Sequence, residues 1–187
     1  MIAKNDITGV VLAGGKSSRF GSNKAFAQHH GMSFLAHAIA LLQPRVKELV
    51  ISGDYREYEQ FGLKMLSDLT PEIGALGGLF TALSYCNTPW LLAVSCDMPL
   101  VPSEIIDELI DNAGACKVIA FQSTHIEVFP MLISKNILPD LQQMIANKQY
   151  RMKPLFELVH ATTISVPPQW ERCFANINKQ EEYNNII

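Results

Sequence analysis

Two patterns of apolar positions alternate along the first two thirds of the chain. Five short, nearly continuous apolar runs predict buried strands, and they cover residues 7–12, 48–52, 63–66, 90–95 and 117–121. Segments with apolar residues at helical spacing lie between these runs and predict helices over residues 32–42, 55–61, 77–85 and 103–112. Buried strands that alternate with helices are typical of an α/β protein, in which helices cover both faces of a mostly parallel sheet.

The last third of the chain has a less regular pattern. Residues 126–134 predict a strand, and Pro130 makes it an edge strand or a bulged one because proline cannot donate to the sheet. Residues 136–146 predict a helix and residues 162–166 a last strand. Internal repeats, low-complexity tracts and linker-like segments do not interrupt the sequence. The expectation is therefore one domain over residues 1–187.

A glycine-rich segment follows the first predicted strand, at residues 12–24. It contains three glycines and three basic residues without an acidic one: Gly14, Gly15, Gly21, Lys16, Arg19 and Lys24. Glycines let backbone N–H groups approach an anion closely, and the positive charges suit a polyphosphate. The spacing fits neither the P-loop nor the G-x-G-x-x-G pattern. An ordinary strand-to-helix turn with solvated basic residues is the alternative, and the basic residues favour phosphate binding.

Acidic residues follow two of the predicted strands. Asp97 comes directly after the fourth strand and Asp68 after the third, and ligands of open parallel sheets bind at the carboxyl ends of strands. A carboxylate at this edge can hold Mg²⁺ together with phosphate oxygens. An aspartate at a strand end is also a common turn or cap residue. For Asp68 alone a turn or cap role is favoured, whereas for Asp97 that role and a ligand-binding role are equally favoured. A second glycine-rich turn, residues 74–78, either starts a helix or approaches a base or ribose.

Composition narrows the class of protein. The chain has 187 residues, with 48% hydrophobic and 18% charged residues, which is typical of a globular fold. A net charge of −3 lacks the basic excess of nucleic-acid-binding proteins. The four cysteines form no C-x-x-C pair, which favours reduced thiols in the cytoplasm. Because apolar runs stay well short of the roughly 20 residues that span a bilayer, no membrane association is expected.

The motifs together resemble one family. Residues 12–21 followed by Lys24 are similar to the signature L-A-G-G-x-S-x-R-[MF]-G-x-x-K of nucleotidyltransferases with a GT-A-like Rossmann sheet. Residues 96–99 match C-D-x-P, and residues 174–178 match F-x-N-[IV]-N, which together with the chain length resembles the molybdenum cofactor guanylyltransferases. Two departures stand out. The second turn is not the common G-P-L-A-G, and Phe129 replaces a histidine that often precedes the proline at position 130.

The resemblance implies a three-layer Rossmann-like fold and a reaction. GTP and molybdopterin would give molybdopterin guanine dinucleotide and pyrophosphate, with Mg²⁺ (or Mn²⁺ as its substitute) bound by Asp97. The positions implied to contact the nucleotide or the acceptor are Leu12, Ala13, Gly14, Gly15, Lys24, Ser52, Asp68, Gly78, Asp97, Asn176 and Asn178. Lys24, Arg19 and Asp97 would be catalytic, the first two by stabilising charge on the departing pyrophosphate. Transient contacts with other cofactor-synthesis proteins or molybdoenzyme chaperones are expected partners.

Two other functions fit the same sequence. A cytidylyltransferase or another nucleotidyltransferase would keep the fold and the first loop and change the nucleotide. A non-catalytic nucleotide-binding protein that delivers the cofactor would keep the loop, but it would not need the metal carboxylate of Asp97 as well as Lys24. Nucleotide competition separates the first alternative, and pyrophosphate release separates the second.

Overall fold

A seven-stranded sheet passes through the centre of the computed structural model, which describes residues 2–14, 23–114, 116–178 and 180–184. The strands are β1 Ile7–Leu12, β2 Gln28–His29, β3 Met32–Ser33, β4 Glu48–Ser52, β5 Lys64–Leu66, β6 Trp90–Ser95, β7 Val118–Gln122, β8 Ile126–Ser134 and β9 Thr162–Ser165. The α-helices are α1 Phe34–Leu42, α2 Ala75–Tyr85, α3 Ser103–Asp111, α4 Leu138–Ala146, α5 Met152–Leu158 and α6 Gln180–Asn184.

The strand order of the large sheet is β5-β4-β1-β6-β8-β7-β9. The first four strands in this order are mutually parallel, and β9 is parallel to β7. Only β8 runs against its neighbours within the described sheet, because it pairs antiparallel with both β6 and β7. The prediction of a mostly parallel sheet in an α/β fold is therefore confirmed.

Helices cover both faces of this sheet. All six residues of β1 are buried, and successive side chains of a strand point to opposite faces. A central strand buried on both faces needs a layer on each side, which accounts for its continuous apolar run. The helices pack in two pairs, α1 with α3 and α2 with α4, and both α1 and α2 contact β1 and β6. The three-layer arrangement follows from these contacts.

The sequence predicted an edge strand or a bulged strand over residues 126–134, and the second alternative is confirmed. The strand exists with the predicted bounds, but β8 lies between β6 and β7 and is not an edge strand. The pairing of β7 with β8 shifts register between Ala120 and Phe121, opposite the segment that contains Pro130. A bulge at this place lets an interior strand tolerate a residue without an N–H donor.

The predicted helix over residues 32–42 begins two residues late. Met32 and Ser33 form β3, which pairs with β2 in a small separate hairpin. His30 and Gly31 at its turn both have positive φ, which is typical of the tight two-residue turns that join antiparallel strands. The Ser33 hydroxyl then caps α1 by accepting a hydrogen bond from the Ala36 N–H at 3.2 Å.

None of the helices in the described part of the chain combines the length and the hydropathy that crossing a membrane requires.

Candidate active site

Four neighbouring strands end at the same level of the sheet. Leu66 of β5 pairs with Ser52 of β4, Ser52 pairs with Leu12 of β1, and Leu12 pairs with Ser95 of β6. These last residues form one row across three inter-strand spacings, about 14 Å in total. The loops that leave the row carry most of the candidate site residues, at the edge where open parallel sheets bind ligands.

A cluster of three side chains lies at the β6 end of the row. The ammonium group of Lys24 donates to Asp97 Oδ2 at 2.8 Å and to Asn178 Oδ1 at 2.8 Å. The side chains of Lys24 and Asp97 are only 15% and 12% exposed, so water screens their attraction weakly. The cluster joins residues that are 73 and 154 positions apart in the sequence.

Three contacts hold Asp97 in this cluster. Its carbonyl oxygen accepts from the Ile177 N–H at 2.9 Å, which ties the C-terminal segment to the loop after β6. The Ser95 hydroxyl donates to Oδ1, the carboxylate oxygen that does not face Lys24. The preceding Cys96 N–H donates to the Leu12 carbonyl at 3.1 Å. These contacts fix which oxygen of Asp97 is presented to a cation.

Ser52, Asp68 and Gly78 meet at the other end of the row. The Ser52 side chain is hydrogen-bonded to Asp68, and a Cβ added to Gly78 would lie 2.7 Å from both Ser52 Oγ and Leu12 Cδ2. Partial burial raises the pKa of Asp68 above its usual value, the Ser52 hydrogen bond lowers it, and the nearby charge of Asp54 raises it. Helix α2 therefore lies so close to the strand ends that a larger residue at position 78 would have to displace the buried side chains of Leu12 and Ser52.

The backbone of Ala13 is already used by the protein. Its N–H donates to the Ser52 carbonyl at 2.9 Å, and its carbonyl accepts from the Tyr58 hydroxyl at 2.9 Å. Leu12 likewise gives its carbonyl to Cys96. Each carbonyl oxygen can still accept a second hydrogen bond from a nucleotide, whereas the Ala13 N–H is occupied, so backbone donors for phosphate would begin at Gly14.

Some of the predicted residues are not brought into these clusters. Gly15 and Arg19 lie outside the described residues. Asn176 is exposed, two positions before Asn178. The structure thus places Asn178, but not Asn176, in contact with Lys24.

A divalent cation fits the Asp97 end of the row. Among the described residues there is no group of three or more histidine, cysteine, aspartate or glutamate side chains that could hold a metal ion. Magnesium sites at phosphates commonly use one or two carboxylates, with phosphate oxygens and water as the other ligands. The Lys24 ammonium group lies at Asp97 Oδ2, so a positive charge can reach this oxygen. Asp97 would therefore hold a metal ion together with the nucleotide.

The sheet and the strand-end site define a nucleotidyltransferase with a Rossmann-like fold. The model of the MobA-like NTP transferase domain matches residues 9–163, and the chain belongs to this family. A Flavobacterium johnsoniae relative named "Probable molybdenum cofactor guanylyltransferase" is 30% identical over 186 residues, which is 96% of each chain. A Serratia proteamaculans relative named "Molybdenum cofactor guanylyltransferase" is 29% identical over 95% of this chain and 92% of its own.

Solved structures share the fold. Molybdopterin-guanine dinucleotide biosynthesis protein A from Archaeoglobus fulgidus superimposes with a TM-score of 0.81 over 96% of both chains, at 18% identity. A Mycobacterium tuberculosis protein solved as a complex with manganese has a TM-score of 0.71 and 16% identity, over 97% of this chain and 98% of its own. At these identities the likeness concerns the fold alone.

Two residues that touch the candidate site were not predicted from the sequence. Ser95 donates a hydrogen bond to Asp97. Its position as the last residue of a buried strand is the sequence feature that could have indicated a role in the site. Tyr58 contacts Ala13 from 45 positions away, inside a short 3-10 helix without a recognisable motif. Only the three-dimensional structure reveals that contact.

Proposed function

We propose that this protein transfers GMP from GTP to the terminal phosphate of molybdopterin, forming molybdopterin guanine dinucleotide and releasing pyrophosphate. The observation that carries the proposal is the convergence of Lys24, Asp97 and Asn178 at the end of the strand row, in a family whose relatives are named for this reaction. The enzyme is thus a molybdenum cofactor guanylyltransferase.

The positions of the site residues along the row support one orientation of the nucleotide. Ser52, Asp68 and Gly78 lie towards β4 and β5, whereas Lys24 and Asp97 lie at the β6 side. Carboxylate and hydroxyl groups can recognise a base or ribose, and an ammonium group suits phosphates. The guanosine would therefore lie over β4 and β5, with its phosphates directed past Gly14 towards Asp97. About 14 Å of sheet edge leaves room for this extended arrangement.

The reaction needs positioning and charge neutralisation and no covalent intermediate. An oxygen of the acceptor phosphate bonds to the α-phosphorus of GTP. The bond to the bridging oxygen of the β-phosphate breaks, and that oxygen leaves with the electron pair as part of pyrophosphate. Lys24 would neutralise charge on the phosphates, while Ser95 and the Ile177 N–H keep Asp97 oriented. Asn178 would lie beside the acceptor because it already contacts Lys24.

Mg²⁺ is the proposed metal, with Mn²⁺ as a substitute. Asp97 would hold it through Oδ2, and Ser95 occupies the other carboxylate oxygen. The bound ion supplies Lewis-acid polarisation of phosphoryl oxygens. With a single protein carboxylate, the metal would bind more tightly together with the nucleotide, because phosphate oxygens would supply further ligands.

We place the reaction in the cytoplasm. All four cysteines are free: Cys86 and Cys96 are buried, and Cys116 and Cys173 are partly buried. Free thiols are typical of a reducing compartment. Other cofactor-synthesis proteins or molybdoenzyme chaperones are the proposed recipients of the product.

Calorimetric titration with GTP, CTP and ATP, with and without Mg²⁺, tests nucleotide choice. We expect GTP to bind most tightly, to depend on Mg²⁺, and to bind more weakly to Asp97→Ala. Asp140→Ala is the matched control, because the partly buried Asp140 pairs only with the exposed Lys117 among the ion pairs of the described residues, and its loss should leave binding unchanged. Preference for CTP would assign the protein to cytidylyl transfer, and absence of nucleotide binding would refute the proposal.

A further inference from the structure

We infer that Tyr58 is a positioning residue of the nucleotide site, whose single hydroxyl fixes the two ends of the glycine-rich segment relative to each other. This inference rests on the proposed function, since it concerns the segment that would hold the triphosphate. Tyr58 belongs to the 3-10 helix Arg56–Phe61, which follows β4, and its side chain is fully buried.

The hydroxyl of Tyr58 reaches one residue near each end of that segment. It lies 2.9 Å from the Ala13 carbonyl, directly before Gly14, and 3.2 Å from Asn23 Oδ1, directly before Lys24. A hydroxyl carries one proton, so it donates to one of these two oxygens at a time while staying within reach of the other. Both residues are thereby held at fixed distances from a side chain that belongs to a different element.

The contact at Asn23 extends to Lys24. Asn23 Oδ1 also accepts from the Ala25 N–H at 3.2 Å and so caps the turn Lys24–Phe26. The ring of Phe26, at the end of this turn, packs against the Tyr58 ring with centroids 5.8 Å apart. Tyr58 therefore supports the turn that presents Lys24 to Asp97, through a hydrogen bond on one side and ring packing on the other.

Burial makes the hydroxyl costly to disturb. Desolvation is the main reason that the pKa of Tyr58 lies well above its usual value, so the hydroxyl stays protonated and can donate throughout the physiological range. A buried polar group that loses its partner costs more than an exposed one, because water cannot replace the bond. The Ala13 carbonyl would lose that partner if the hydroxyl were removed.

Tyr58→Phe removes the hydroxyl and keeps the ring against Phe26. We expect the variant to bind GTP and inorganic tripolyphosphate about three- to tenfold more weakly, the effect of one net hydrogen bond. GMP binding should change by less than about twofold, because the contacts of the base at Ser52 and Asp68 are intact. Asn23→Ser, which keeps a cap for Ala25 but is too short to reach Tyr58, should weaken the same two ligands.

Tyr85→Phe is the matched control. It deletes a tyrosine hydroxyl that donates to Glu48, at the first residue of β4 and thus at the opposite edge of the sheet. Its binding of all three ligands should equal that of the wild type. Thermal melting of each variant, followed by circular dichroism, separates a change of site from a loss of folded protein.

The outcomes separate this inference from the proposed function. Selective weakening of GTP and tripolyphosphate in Tyr58→Phe, with GMP unchanged, supports the positioning role. Unchanged tripolyphosphate binding, or equal weakening of all three ligands, overturns it and leaves guanylyl transfer standing. A wild-type protein that prefers CTP to GTP, with tripolyphosphate still weakened in Tyr58→Phe, contradicts the nucleotide choice only. A wild-type protein that binds neither triphosphate nor tripolyphosphate overturns both.

Discussion

Lys24 makes the ion pair on which the proposed site depends, and it occupies the oxygen that a metal ion would need. Its ammonium group lies 2.8 Å from Asp97 Oδ2, while Ser95 bonds to Oδ1. Phosphates would offer Lys24 a second, more negative partner. We therefore expect the nucleotide to favour an exchange in which Lys24 would turn to phosphate and Asp97 Oδ2 would become available to the cation.

Lys24→Met should separate these two effects. Without the competing ammonium, Asp97 binds Mn²⁺ more tightly in the absence of nucleotide, whereas GTP affinity falls because a phosphate contact is lost. Turnover should fall on the order of 100-fold or more. Electron paramagnetic resonance of free Mn²⁺ and calorimetry with GTP measure the two affinities. Lys117→Met, which removes an exposed lysine paired with Asp140, is the control. Weaker Mn²⁺ binding in Lys24→Met would contradict the competition.

We expect the ionised Asp68 carboxylate to lower the free energy of unfolding at neutral pH. Its pKa is raised, mainly by desolvation and also by Asp54, so between its unfolded and folded pKa values the native state binds more protons than the unfolded state. The free energy of unfolding therefore falls as the pH rises through that window.

Asp68→Asn removes this dependence. We expect a higher melting temperature than the wild type at pH 7, a difference that disappears at the acidic end of the folded range, and weaker GTP binding at both. The effect on stability should be small, since Asp68 is largely exposed. Melting curves across the pH range measure it, and a melting temperature at pH 7 below that of the wild type would contradict the argument.

Individual site residues could be predicted from the sequence only where they belong to a recognisable motif. Asp97 and Lys24 stand in recognisable patterns, and the structure brings them together, although their catalytic roles remain predictions. Gly15 and Arg19 also remain predictions, outside the described residues. Tyr58 carries no local signal, because its importance comes from contacts with Ala13 and Asn23 that lie 45 and 35 positions away.

Among the elements, helix α2 is the one that the site constrains most tightly. Gly78 lies in its first turns, where the helix meets Leu12 and Ser52 at the strand ends. A glycine inside a helix ordinarily costs about 1 kcal/mol relative to alanine, so helix propensity alone would favour its replacement. The close approach to the sheet reverses that preference at this position.

Gly78→Ala should therefore destabilise the protein. Its methyl group would meet two atoms at 2.7 Å, and overpacking of this kind costs typically about 1–3 kcal/mol. We expect the melting temperature to fall by about 2–10 °C. Gly114→Ala is the control, because nothing lies within 4 Å of the added Cβ and its φ is not positive. A stability gain in Gly78→Ala would show that α2 can move away from the strands.

Elements with a strong hydrophobic pattern were predictable to the residue. β4, β6 and β8 have the predicted bounds because their apolar runs end at glycine or polar residues. Helix α5 was missed: it has seven residues with a proline inside, and it buries only Leu155 and Phe156. A pattern so short does not distinguish a helix from a loop, since packing on α4 is what stabilises it.

The whole molecule is organised around one sheet that connects distant parts of the chain. β1 begins at Ile7 and β9 ends at Ser165, and both belong to the same seven strands. A continuous cluster of buried apolar side chains extends from Ile7 to Phe174. The sequence predicted the layers but not the antiparallel insertion of β8, because strand order depends on packing that no local pattern records.

Residues 1–187 should unfold as a single domain. A shared core predicts one cooperative transition, with coincident melting curves by circular dichroism and tryptophan fluorescence and with equal calorimetric and van't Hoff enthalpies. Trp90 reports on β6, the central strand of the sheet, and Trp170 packs against Phe121 of β7, two strands away. Two resolved transitions would contradict the prediction.

Guanylyl transfer itself is the most direct test of the account. Purified protein is incubated with molybdopterin, Mg²⁺ and GTP labelled at the α-phosphate, and the label is followed into the dinucleotide while pyrophosphate is counted. We predict one pyrophosphate per labelled dinucleotide, little product from CTP, and loss of product in Asp97→Asn but not in Asp140→Asn. GTP binding without labelled dinucleotide or pyrophosphate, under conditions in which molybdopterin is intact, would contradict the assignment of this protein as a guanylyltransferase.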